Sequence, residues 1–147
     1  MKKYSFRLQT VLDLKEKILE NKMLELSKVV SVYNQEKDRL QEFETKKKNS
    51  LAELNDLYSK PELLDLSQVK TYKAFLGKIS FDINKQKQVL EKILKLMEAK
   101  QKEVNQALKE KKIYEKLKEN EEERFYKELN MKESVEIDDI ALSRYGR

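Results

Sequence analysis

Residues 12–40 read LDLKEKILENKMLELSKVVSVYNQEKDRL, and this stretch decides the fold. Leu12, Leu19, Leu26, Tyr33 and Leu40 return every seven residues, and the series resumes at Leu54 after one interruption at Lys47. Leu8, Val11, Ile18, Met23, Val29, Val30, Phe43, Leu51 and Leu57 flank it. An apolar repeat of seven, sustained this long, keeps one stripe of a helix turned toward a partner helix through a left-handed supercoil. The second half carries the same repeat at Val69, Leu76, Ile83, Leu90, Met97 and Val104. Tyr72, Ile79, Ile93, Leu94 and Leu108 fill its partner seam. After Val104 the phase is lost. Lys111 and Lys118 fall where the stripe should continue, while Tyr114, Leu117, Phe125 and Leu129 are offset, which reads as a stutter or as looser pairing.

One break separates the halves, at Ser59-Lys60-Pro61-Glu62. The proline ring clashes with a preceding helical turn and biases Lys60 away from helix. Ser59 with Glu62 reads as a capping box, and Asp65 with Gln68 as a second helix start. The expected fold is therefore all-α, a long antiparallel two-helix coiled-coil hairpin with a short turn or helical fragment near Pro61. Residues 1–147 are read as one elongated domain. A first helix runs from about 5 to 58, a connection over about 59–66, a second helix from about 67 to 132, and a tail over 133–147. At ~1.5 Å per residue the helices would reach roughly 80 and 100 Å, too long to enclose a globular core. A short connection places the helices antiparallel, which favours a monomeric hairpin over a homodimeric scaffold. Gly77, inside the second helical pattern, reads as a close-contact or flexible point.

Composition agrees and narrows the function. The chain of 147 residues has two glycines and one proline, where about ten and seven would be usual. So few glycines cannot supply the turns of a β-sandwich, a barrel or a doubly wound domain, nor the glycine pair of a phosphate-binding loop. Cysteine and histidine are both absent. That removes disulfides, thiolate catalysis, Cys-type zinc sites and the commonest neutral-pH base. Carboxylates could act as acids and bases only in a pocket that shifts their pKa values, and a chain 40% charged has little apolar material to wall one. The reading is of a non-enzymatic protein with no cofactor, no metal and no small-molecule substrate.

The net charge of +5 comes from 32 basic and 27 acidic residues of mixed order, with Lys46-Lys47-Lys48 as the longest basic run. Interleaved signs, as in Glu121-Glu122-Glu123 among the lysines, describe a solvated helix surface and argue against a nucleic-acid partner, whether as an RNA- or a membrane-surface-binding helix. The longest uncharged stretch found, Val29 to Gln35, is far short of the ~20 apolar residues of a membrane span. Arg7 and Asp13 interrupt what would be the apolar core of a signal peptide, so a chain not exported by that route is expected.

Three segments stand apart from the seam. With Leu76 and Ile83 at position a, Phe75 falls at g and Phe81 at the outward f. Aromatics there read either as covers for Leu63, Leu64 and Leu66 or, with Tyr72, Leu76 and Ile79, as a partner-binding patch. The start is heavily apolar for a chain end, with Tyr4, Phe6, Leu8, Val11 and Leu12. Together with residues 138–147 it suggests two ends that cover each other.

The opening from Phe6 to Lys15, Phe-Arg-Leu-Gln-x-Val-Leu-Asp-Leu-Lys, is similar to the start of the FliJ family of flagellar export proteins. The ending Glu136-x-Asp138-Asp139-Ile140-Ala141-x-x-Arg144-Tyr145 resembles that family's close, and Tyr72-x-x-Phe75-Leu76-x-x-Ile79 its mid-chain aromatic motif. The resemblance implies a component of the bacterial flagellar type III export apparatus, a coiled coil like the central stalk of rotary ATP synthases. It implies binding to the hexameric export ATPase, to the membrane export gate and to chaperones of late substrates. The location implied is cytoplasmic, peripheral at the inner face of the cell membrane through those partners. Carried over by match, the partner-binding residues are Tyr72, Phe75, Leu76 and Ile79, with Phe81 beside them and Leu40 and Phe43 on the first helix.

Overall fold

The computed structural model describes residues 3–146. It holds helix α1 (Gln9–Tyr58), a 3-10 turn (Pro61–Leu63) and helix α2 (Leu66–Tyr145), with no strand among the described residues. The two long helices pack against each other, as the heptads require. By contacts the chain forms two units. A terminal unit joins Met1–Met23 to Glu103–Arg147, and a turn unit spans Leu24–Lys102.

In the turn unit, every heptad position of α1 from Leu26 to Leu54 is buried or half-buried. So is every one of α2 from Val69 to Met97. Leu54, Val69, Ile79 and Ile83 form the buried apolar core of this unit. Lys47 keeps its place in the stripe, half-buried, because its methylene stem can lie along apolar neighbours while the ammonium reaches water. Met23, Leu51 and Leu94, read as flanking seam residues, are exposed instead.

The connection is closed by local hydrogen bonds. Ser59 does not cap a new helix with Glu62. Its hydroxyl donates to the Asp56 carbonyl at 2.6 Å, so it ends α1. Lys60, ahead of the proline, adopts φ −120° and ψ 72°, outside the helical region. The expected second start is observed: the Asp65 carboxylate accepts from the Ser67 N–H at 2.9 Å and satisfies one of the free donors of α2's first turn.

In the terminal unit, Lys15 meets Glu110 at 3.1 Å and Lys22 meets Glu103 at 3.6 Å, which fixes an antiparallel register. The phase of α2 is not lost after Val104. Ala107, Lys111, Tyr114, Lys118, Glu121 and Phe125 follow at alternating steps of three and four, and all are buried or half-buried. The stutter is thus a change of residue type, not of register. Lys111 binds Glu115 at 3.3 Å, and Lys118 donates to the Gln9 side chain at 2.7 Å.

Both helix ends differ from expectation. α1 starts at Gln9 rather than near Ser5. The residues before it turn aside so that Phe6 is buried and the Tyr4 ring sits 5.6 Å from that of Phe125. The Tyr4 hydroxyl is buried without a hydrogen-bond partner. That burial, with the charges of Glu121 and Glu122, raises its pKa above the ordinary 10.0. α2 runs on to Tyr145 rather than ending near Lys132, so the expected tail is helix. No glycine or proline interrupts the chain between Gly77 and Gly146, and the Gly146 N–H closes the last turn on the Leu142 carbonyl at 2.9 Å. From Asn130 to Gly146 every residue is exposed. The amino-terminal segment therefore covers α2 near Phe125, and the closing motif 136–145 is left uncovered.

Candidate functional site

The seven expected partner-binding residues all lie in the turn unit, and the helical repeat sorts them. Leu40 and Phe43 on α1, and Tyr72, Leu76 and Ile79 on α2, occupy heptad positions that face the other helix. Ile79 is only 5% exposed. Phe75 and Phe81 lie outside the seam and are 38% and 66% exposed. They are six residues apart, which turns them about 120° from each other around the helix axis. Two different faces thus carry the accessible aromatics.

The polar groups around them are held in place. The Tyr72 hydroxyl donates to the Glu53 carboxylate at 2.8 Å. That hydrogen bond, then desolvation and the Glu53 charge, raises the phenol pKa above its ordinary 10.0. Along α1 itself, one turn apart, the Arg39 guanidinium lies 5.6 Å from the centre of the Phe43 ring, within the range of a cation–π contact.

An open groove of about 430 Å³ runs beside these residues, lined by Glu36, Arg39, Phe43, Asp82, Lys85, Gln86 and Val89. Its floor holds the one buried polar side chain of the described residues, Gln86, 6% exposed. The Gln86 amide donates to the Glu36 backbone carbonyl at 2.8 Å and to the Glu36 carboxylate. Sequence reading missed this pair because polar residues look like gaps in an apolar repeat. The signal was available in the spacing: Gln86 follows Ile83 by three residues and Glu36 follows Tyr33 by three, the step from a to d. A buried polar pair at a single seam level penalises any slipped register, because sliding the helices would leave the amide and the carboxylate unmatched.

The groove brings together the carboxylates of Glu36 and Asp82, the Arg39 guanidinium, Lys85 and the Gln86 amide, tied by the Gln86–Glu36 hydrogen bonds and the Arg39–Phe43 contact. Among the described residues no group of His, Cys, Asp and Glu is arranged to hold a metal ion. No described helix is long and apolar enough to cross a membrane.

A family model described as "Flagellar FliJ protein" matches residues 4–147. Comparisons with curated proteins and with solved structures found no match.

Proposed function

The chain belongs to the FliJ family, whose role lies in flagellar export, and on that premise we propose that it binds the hexameric export ATPase of the flagellar type III apparatus and promotes ring assembly without hydrolysing ATP itself. In this reading it also contacts the export gate and the chaperones of late substrates, and it reaches the inner face of the cell membrane through them. The observation that carries the proposal is the family match over nearly the whole chain, joined to a seam that is satisfied within one chain. With its heptad positions occupied by its own second helix, the chain acts as a monomer. Its outward residues, Phe75 first among them, are free for other proteins. A helical protein of this kind can work by preferring one assembly state of a ring, since differential contacts alone shift such an equilibrium.

The test adds the purified chain to a purified export ATPase and follows both hexamer formation and hydrolysis rate. The proposal expects both to rise, and Phe75→Ala to weaken the effect. If neither changes with the wild-type chain, the proposal fails.

A further inference from the structure

In the turn unit, charge is divided unequally between the helices. α2 from Leu66 to Lys102 carries nine lysines against three carboxylates, while α1 from Leu24 to Tyr58 carries six basic residues against seven acidic ones. The excess lies on one face. On the outward positions of α2 between Lys70 and Gln88 stand Lys70, Lys78 and Lys85, without a carboxylate, and all three are exposed. None of them forms an ion pair among the described residues. Phe81 sits in the middle of this face, three residues after Lys78 and four before Lys85, so its neighbours along the helix surface are the two lysines. Its ring is 66% exposed. Ala74 and Gly77, on the same face toward the amino-terminal end, leave the ring unobstructed, and a Cβ added at Gly77 would meet nothing within 4 Å.

We propose that this face, Phe81 between Lys78 and Lys85 with Lys70 beside them, docks on an anionic lipid surface. The charge complementarity is direct, because phosphate headgroups supply negative partners for a face whose one adjoining carboxylate, the half-buried Asp82, lies at its edge four residues after Lys78 and three before Lys85. The geometry suits a bilayer better than a protein. The exposed Phe81 ring stands as a knob on the outward side of the helix, apart from the groove that Lys85 and Asp82 line at the edge of the face, and an acyl boundary can close around it wherever it enters. Lysine stems of four carbons allow their ammonium groups to stay at headgroup level while the ring enters below them. The helix would lie along the surface and would not cross it. Three lysines and one ring give reversible attachment, weaker than a lipid anchor. This inference does not rest on the ATPase reading, and each can fail without the other.

Vesicle co-sedimentation tests it with the full chain. The chain is expected to sediment with vesicles of phosphatidylglycerol and phosphatidylcholine, to remain in solution with phosphatidylcholine alone, and to be released by high salt. Lys78→Gln and Lys85→Gln should each lower the partition about fivefold, the change that ~1 kcal/mol per lysine corresponds to. Phe81→Ala should lower it further, and Lys28→Gln on α1 should leave it unchanged. All of these side chains are exposed, so circular dichroism should report unaltered helicity in every variant. Equal sedimentation with both vesicle types would overturn the inference, as would wild-type binding by Phe81→Ala. Retention by an acidic protein or a soluble polyanion with no vesicle binding would assign the face to another partner and overturn it equally.

Discussion

Replacing Gly77 by alanine should make the protein more stable. Gly77 lies about three turns inside α2 and has no positive φ. A Cβ built there meets nothing within 4 Å, so the close contact expected from sequence does not exist within the chain. With no clash and no strained backbone, two effects remain, and they share one sign. Alanine loses less backbone entropy than glycine on entering a helix, and it shields the backbone from water better. In an exposed helix interior the difference is ~0.8–1.0 kcal/mol. For a chain of this size that corresponds to a rise of about 2–4 °C in Tm. Thermal unfolding followed by far-ultraviolet circular dichroism reads it directly. Gly77→Val provides the internal control. Its branched Cβ restricts χ1 against the preceding turn, so its gain should be under half that of alanine. An unchanged or lowered Tm for Gly77→Ala would mean instead that the space beside Gly77 is occupied.

Three further outcomes follow from burial and charge. Leu54, 5% exposed, and Leu51, 46% exposed, lie three residues apart on α1. Leu54→Ala should cost ~2–4 kcal/mol in denaturant unfolding and Leu51→Ala well under ~1 kcal/mol. Within the aromatic motif, Ile79→Ala should destabilise the chain about as much as Leu54→Ala. Phe75→Ala should leave the melting curve nearly in place and weaken partner binding in a pull-down, which makes Phe75 the cleaner probe. The Glu110 carboxyl is held below its ordinary 4.5 by the hydrogen bond from Lys15, then by that from Gln106 and by the Lys15 charge. A carboxylate with a depressed pKa adds stability above its unfolded value, and that stability is lost as pH falls through the folded one. The Tm of Glu110→Gln should therefore fall less than that of the wild type between about pH 6 and about pH 3.

The parts of the fold legible in the sequence were those written in apolar spacing. Leu12, Leu19, Leu26, Val69, Leu76 and Ile83 announce the seam, and Pro61 can be accommodated only where the chain leaves the helix. What stayed hidden was written in polar residues. Lys111 and Lys118 keep the phase of α2 but look like its loss, because the repeat counts side chains by polarity while the helix buries them by position. Gln86 and Glu36 were passed over for the same reason. The end of α2 was misplaced because amphipathic periodicity fades after Leu129, yet no residue there breaks a helix. The aromatic motif was visible as composition, but the split of Phe75 and Phe81 between two faces requires the helix phase to be followed residue by residue.

The proposed role, promoting assembly of the export ATPase ring, can be measured on purified components. The most direct measurement is the hydrolysis rate of a purified flagellar export ATPase titrated with this chain, with analytical ultracentrifugation of the same mixtures. A saturable rise in rate that parallels the growth of the hexamer peak is expected, with no hydrolysis by the chain alone. A flat rate and an unchanged distribution of ATPase species across the titration would contradict that role.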